Sequence, residues 1–252
     1  MNRKIVIITG AGQGIGGYIV ENLDKKFDLL LISKSKNCIN VSKKINKTFR
    51  FKKSKALRFD LNDNKKLEKY FNKFKISFYK EINIILCAAK VDRKKTSFNN
   101  YYDWIDTFKT NFFSNISFIN LAIKKINKKK LKKIMIFSGG GAASSFEEFP
   151  IYSATKTALV RTVENYALKF RRENFNIFAI APGAVETKML KKVKKLAKVK
   201  SNSSLNQVFN FINFCLKNKT NFFNGKLIHI RDNIAKIKKN NDINYLKLRR
   251  VE

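Results

Sequence analysis

The sequence predicts a single α/β domain: a doubly wound, seven-stranded parallel sheet with helices on both faces. Three observations predict it. Short apolar runs alternate with helix-length segments from one end of the chain to the other. Most of these runs are continuously apolar, as in strands covered on both faces. The first run also ends in a glycine-rich turn that opens a helical segment. The 252 residues suffice for one large core, and a 44% hydrophobic content suits a globular chain.

Taken in order, the strand runs are Lys4–Thr9, Asp28–Ser33, Ala56–Phe59, Ile82–Cys87, Lys133–Ser138, Asn176–Ala181 and Lys226–Ile230. Helical segments are expected at Gly14–Asp24, Lys65–Lys75, Tyr101–Asn127, Tyr152–Arg172 and Phe209–Leu216. Leu67, Tyr70, Phe71 and Phe74 recur at helical spacing, as do Trp104, Phe108, Phe112, Ile116 and Ile119. Strands alternating with helices imply right-handed crossovers. No repeat or linker interrupts residues 1–235, and a basic tail over 236–252 is expected to attach loosely.

Composition narrows the function classes. The formal charge is +36, yet the lysines are spread along the chain rather than gathered in one arm. They accompany abundant Asn, Ile and Phe, which reads as compositional bias, so no specific nucleic-acid role is expected. The field would still attract anions. No apolar run approaches a membrane span. The basic opening leads into an apolar run too short for a signal peptide, so a cytoplasmic location is expected. Cys38, Cys87 and Cys215 are scattered and His229 is the single histidine. Neither a disulfide framework nor a metal site is expected.

The chemistry begins at Thr9-Gly10-Ala11-Gly12-Gln13-Gly14-Ile15-Gly16. Glycines there permit a tight turn and close backbone approach to a pyrophosphate at a helix N-terminus. After the second strand, Lys34 stands where NAD-binding folds place an acid for the ribose 2′-hydroxyl. A cation suits the 2′-phosphate of NADP, although any exposed position in so basic a chain can be lysine. Asp60 follows the third strand, where it would accept the adenine amine or serve as a turn or N-cap residue.

Tyr152-Ser153-Ala154-Thr155-Lys156 carries the sharpest signal. Positions i and i+4 share a helix face, so the Lys156 ammonium can lower the pKa of the Tyr152 phenol. Such a tyrosine can donate a proton to a carbonyl receiving a hydride. Ser138-Gly139-Gly140-Gly141 ends a strand upstream, at the edge where such a site belongs. Asn111 lies in the long helix, and Pro182-Gly183-Ala184-Val185-Glu186-Thr187 follows a later strand.

Together these motifs resemble the short-chain dehydrogenase/reductase family, in its order and at about its spacing, from Ile5 to about Asp232. The SGGGA run is similar to a subset found with surface-polysaccharide synthesis. The resemblance implies a Rossmann-like NAD(P)-dependent oxidoreductase that moves a hydride between nicotinamide and a carbonyl or alcohol. It implies Tyr152 as general acid/base, Lys156 on the nicotinamide ribose, Ser138 on the substrate oxygen and Asn111 holding a relay water. It implies a cofactor site of Gly10, Gln13, Gly14, Ile15, Gly16, Lys34, Asp60, Leu61, Ala88, Ala89, Pro182, Gly183, Val185 and Thr187. The cofactor expected is NADP, with NAD as the alternative.

Two departures stand out. The family's Asn-Asn-Ala-Gly is Cys87-Ala88-Ala89-Lys90 here. The family's catalytic serine commonly lies 13 residues before the tyrosine, but Ser138 lies 14 before Tyr152. Either one extra loop residue keeps Ser138 in the role, the reading preferred here, or the role is lost or passes to Ser144 or Ser145.

Lys188–Lys200 holds seven lysines where the family has a lid. They are a solvated face, or they favour an anionic or nucleotide-linked substrate. Alternatives for the whole chain are a 3-oxoacyl reductase and a catalytically silent member binding a nucleotide or protein. The family implies a homodimer or homotetramer built on the two long helices.

Overall fold

The structure, a computed structural model, describes residues 3–24, 26–48, 54–91, 101–127, 130–200, 202–239 and 248. Its sheet has seven strands: β1 (Lys4–Thr9), β2 (Phe27–Ser33), β3 (Ser54–Arg58), β4 (Glu81–Leu86), β5 (Leu131–Phe137), β6 (Phe175–Ala181) and β7 (Leu227–His229). Their order is β3-β2-β1-β4-β5-β6-β7, and every pair is parallel. The order reverses between β1 and β4. Thr9 is paired with Leu86 there, so the crevice of a doubly wound sheet opens above these two strand ends.

The continuous apolar runs have the expected cause. Along β1, Ile5 and Ile7 join one core layer while Val6 and Ile8 join the other, as the period of two requires. The first layer is closed by α3 (Asn64–Lys73), α5 (Ser114–Lys125) and α6 (Pro150–Lys169). The second is closed by α1 (Gly14–Asn22), α2 (Asn37–Thr48) and α8 (Leu205–Lys217). Burying one such aliphatic side chain is worth about 2 kcal/mol, so both layers contribute to holding the sheet.

Several helices differ from expectation. α2 was not anticipated; it places Cys38, Ser42 and Ile45 inward. The long helix expected over 101–127 is instead α4 (Tyr101–Phe108), a π turn over Lys109–Phe113, and α5. α8 starts earlier than expected, behind a capping box in which Ser204 and Gln207 satisfy each other's backbone N–H.

α9 (Ile234–Lys239) spans residue 235 and buries Ile237. Leu248 is also anchored: its N–H donates to Glu164 at 2.7 Å and its carbonyl accepts from Arg161 at 2.7 Å. The rest of the expected tail lies outside the described residues.

Two lysines sit inside β5. Lys132 reaches the Asn127 carbonyl at 3.3 Å and Glu173 at 3.4 Å. Lys133 donates to the carbonyls of Cys215 and Asn218. Burial holds the Lys133 ammonium below the usual lysine range, against the pull of Glu81.

Candidate active site

The glycine turn after β1 needs glycine at specific points. Gly10 has φ +68° and Gly14 φ +58°, a region L side chains avoid. A Cβ on Gly16 would lie 2.6 Å from the Gly10 carbonyl oxygen, so α1 packs directly on the turn. A Cβ on Gly10 would lie 3.0 Å from the Ala88 N atom, so the turn also abuts the chain leaving β4. The Ala88 N–H donates to Thr9 Oγ1 at 3.2 Å and fixes that approach. Gln13 is exposed at the helix entrance with no side-chain cap, and the first turn holds no acid. The positive helix end therefore faces the crevice. Ile15 packs against the core beside it.

At the far side of the turn, Lys34 and Asp60 form an ion pair of 2.8 Å. Burial pushes the Asp60 carboxyl up, but Lys34 and the Asn62 N–H outweigh it and hold it low. The Leu61 side chain is buried in the core, so only its backbone can line the crevice.

Beyond β4, Ala88 and Ala89 are small and half-buried. Lys90 replaces the family's glycine without blocking the crevice, because its ammonium turns away to Asp106. Asn111, fully buried, clamps the Lys90 backbone: Oδ1 accepts from its N–H at 2.8 Å and Nδ2 donates to its carbonyl at 2.9 Å. Asn111 Nδ2 also reaches Thr155 Oγ1 at 3.2 Å. The π turn presents the Asn111 side chain for this work, a common use of such a bulge. Asn115 Nδ2 donates to the Asn111 carbonyl at 2.6 Å.

Tyr152 and Lys156 lie one turn apart on α6, and Lys156 Nζ is 5.3 Å from the centre of the Tyr152 ring. Lys156 is 2% exposed and donates to the Phe137 carbonyl at 2.8 Å. Burial lowers it to about 8, partly opposed by Cys87. Burial likewise pushes the Cys87 thiol up, with Lys156 opposing. A thiol kept protonated is a packing group, not a nucleophile.

Ser138 is also buried, and its Oγ donates to the Lys156 carbonyl at 3.2 Å. The position whose Cβ would meet the Tyr152 hydroxyl, at 3.3 Å, is Gly139. Ser144 and Ser145 are exposed.

The turn after β6 forms the opposite wall. Pro182 and Val185 are buried, and Gly183 has φ +73°. Asn202 pins this turn by accepting the Ala184 N–H at 2.7 Å. Thr187 caps α7 (Lys188–Val193) through the Leu190 N–H, and its methyl lies 3.7 Å from a Cβ on Gly14. The β6 turn thus reaches across to the first glycine turn.

All seven lysines of Lys188–Lys200 are exposed, while Leu190, Val193, Leu196, Ala197 and Val199 pack with Phe146, Phe149 and Tyr152. The cations form the outer face of this segment and its underside is apolar.

Contacts join the first glycine turn to the chain leaving β4 and to the β6 turn, and join Asn111 and Ser138 to α6 beside Tyr152 and Lys156, whereas Lys34 and Asp60 pair with each other. Sequence reasoning missed Asn115, Thr155 and Phe149. Asn115 follows Asn111 by four residues, a spacing that places both on one helix face; Phe149 precedes the proline that starts α6.

Fold and site together define a doubly wound α/β chain whose Tyr–Lys pair shares a crevice with a glycine-rich turn. The chain belongs to the short-chain dehydrogenase family, whose model, described as short chain dehydrogenase, matches residues 4–198. Among curated relatives, 3-oxoacyl-(acyl-carrier-protein) reductase FabG of Buchnera aphidicola is 25% identical over 240 residues, covering 90% of this chain and 96% of its own. Among solved structures, YwfH, an NADPH dependent reductase involved in bacilysin biosynthesis, superposes with a TM-score of 0.81 at 18% identity, covering 90% and 96% of the two chains. A 3-oxoacyl-(acyl-carrier protein) reductase from Brucella melitensis in complex with NAD gives 0.78 at 19% identity, covering 91% and 96%. Among the described residues, no helix is long and apolar enough to cross a membrane.

Proposed function

We propose that the chain is an NADP-linked reductase of a carbonyl compound, working through Tyr152 and Lys156. The observation that carries this is the buried Lys156 ammonium over the Tyr152 ring, at the carboxyl edge of the sheet. A nearby cation favours the phenolate and so eases proton release from Tyr152 to the substrate oxygen. In the oxidative direction the same phenolate takes the proton back. Lys156 would also hold the nicotinamide ribose, and Asn111 anchors the chain that carries Ala88 and Ala89 through Lys90.

The chain's residues fit a dinucleotide. Gly10, Gly14 and Gly16 leave room for a diphosphate where a Cβ would collide or strain the turn, and the uncapped α1 end favours its charge. A cation at Lys34, just beyond β2, would attract a 2′-phosphate, which supports NADP over NAD. Pro182, Gly183, Val185 and Thr187 close the nicotinamide end. Bound there, the cofactor supplies the hydride.

The apolar underside of the 188–200 segment supports an apolar carbonyl compound over an anionic or nucleotide-linked one. A 3-oxoacyl reductase is the second reading, favoured by the Buchnera relative and by the same apolar wall, which suits an acyl chain. Tyr101, Tyr102, Phe113 and Leu168 are each more than half exposed on the two long helical segments, which supports a homodimer or homotetramer.

Titration with NADPH and NADH, followed by cofactor fluorescence and then a ketone and aldehyde screen, tests the reading. Tight NADPH binding and turnover abolished in Tyr152→Phe are expected. Binding of neither cofactor would leave a silent member of the fold.

A further inference from the structure

We propose that Gly139, not Ser138, stands where a side chain would meet the substrate oxygen, and that Ser138 is a positioning residue for Lys156. The proposal rests on the reading of Tyr152 as the proton donor.

Residue 139 faces the reacting hydroxyl: a Cβ built on it lies 3.3 Å from Tyr152 Oη and 3.9 Å from Cε1. Neighbouring residues of an extended chain point to opposite sides, so residue 138 points elsewhere. Its hydroxyl is buried and its hydrogen is directed to the Lys156 carbonyl at 3.2 Å. The two other serines of this turn that could stand in, Ser144 and Ser145, are exposed. Counting from residue 139 also gives the 13-residue interval to Tyr152 without any loop insertion.

Ser138 has a different task. Phe137 and Ser138, at the end of β5, hold residue 156 at both ends. The Lys156 ammonium donates to the Phe137 carbonyl at 2.8 Å, and the Lys156 carbonyl accepts from Ser138. This reciprocal clasp locks α6 against the strand and fixes where the ammonium stands relative to Tyr152. Among the described residues, the titratable groups that face that ammonium are Cys87, just beyond β4, and Tyr152 on α6 itself.

The consequence concerns the substrate. A second hydroxyl aimed at a developing oxyanion is typically worth about 100- to 1,000-fold in rate. With glycine in that place, the carbonyls best served are those already activated by an adjacent electron-withdrawing group, such as 1,2-diketones.

Four proteins test this: wild type, Tyr152→Phe, Ser138→Ala and Gly139→Ser. Turnover is measured with NADPH and 9,10-phenanthrenequinone, an activated diketone, and NADPH affinity is measured by fluorescence from pH 7 to about 9.5. Ser138→Ala should keep kcat within about tenfold of wild type, and Gly139→Ser should raise it. Affinity should fall as Lys156 loses its proton, and Ser138→Ala should move that midpoint upward by about half a unit as water reaches the ammonium. A 100-fold or greater loss in Ser138→Ala with the midpoint unmoved would overturn the proposal, as would a Gly139→Ser enzyme slower than wild type. If wild type turns over nothing, the binding midpoint alone decides. Full turnover in Tyr152→Phe would remove the proton-donor reading and leave the clasp to the binding data.

Discussion

The Lys34 ammonium, just beyond β2, and the Asp60 carboxylate, just beyond β3, face each other at 2.8 Å. Sequence reasoning gave them separate partners, the 2′-phosphate and the adenine amine. Lys34 is 82% exposed, so the pair itself stabilises the fold by less than about 1 kcal/mol.

Cofactor choice should therefore respond to each partner differently. Lys34→Ala should weaken NADPH binding about tenfold and leave NADH within about twofold, because only one cofactor carries the extra phosphate. Asp60→Asn removes the carboxylate that competes with a phosphate for Lys34 and should sharpen the NADPH preference. Equal losses for both cofactors in Lys34→Ala would remove the phosphate role.

Asn111→Ala should be destabilising by about 2–4 kcal/mol, because it orphans the Lys90 N–H and carbonyl together. For a chain of this size that is a fall in Tm of roughly 5–15 °C. A shift under about 2 °C in calorimetry would mean that water replaces the amide at Lys90.

Gly16→Ala should separate α1 from the first turn, since its Cβ would come within 2.6 Å of the Gly10 carbonyl. The expected result is a lower Tm and a loss of at least about tenfold in affinity for both cofactors. Unchanged binding would show that the helix end and the turn move independently.

Stability should rise between about pH 8 and 9 and then turn over. Lys156 titrates near 8 in the fold against an ordinary 10.5, and Lys133 is lowered too. In that window the unfolded chain binds more protons, so raising the pH favours the fold. Above 9 the sign reverses for Cys38, Cys87 and Cys215, all raised by burial from an ordinary 9.0. There the folded chain holds the extra protons, and further alkali favours unfolding. Urea midpoints from pH 7 to 10 read this directly; a steady decline across pH 8–9 would contradict it.

Much of the architecture was legible because burial on both faces writes itself into the strands as unbroken apolar runs. The glycine turn and the Tyr152–Lys156 spacing were legible for a similar reason, since few residues satisfy those geometries. α2 was hidden because its inward positions, Cys38, Ser42 and Ile45, are sparse within an Asn- and Lys-rich stretch of modest helix propensity. The capping box at Ser204 is written in the sequence as a serine followed three residues later by Gln207. The π turn at Lys109–Phe113 leaves no mark in the apolar spacing around it. The serine question turns on a single residue: a shift of one position at a strand end reverses which side chain faces the site, and apolar patterning cannot resolve that among three glycines.

The two lysines inside β5 bear on how such a sequence stays active. Both reach carbonyl groups at the edge of the sheet remote from the crevice. A chain drifting toward lysine everywhere will accept it first where stray main-chain acceptors can neutralise the intrusion. The end of the sheet remote from the crevice offers such acceptors to Lys132 and Lys133. At the opposite end the cations that are accommodated have particular partners, Lys156 on the Phe137 carbonyl and Lys90 on Asp106.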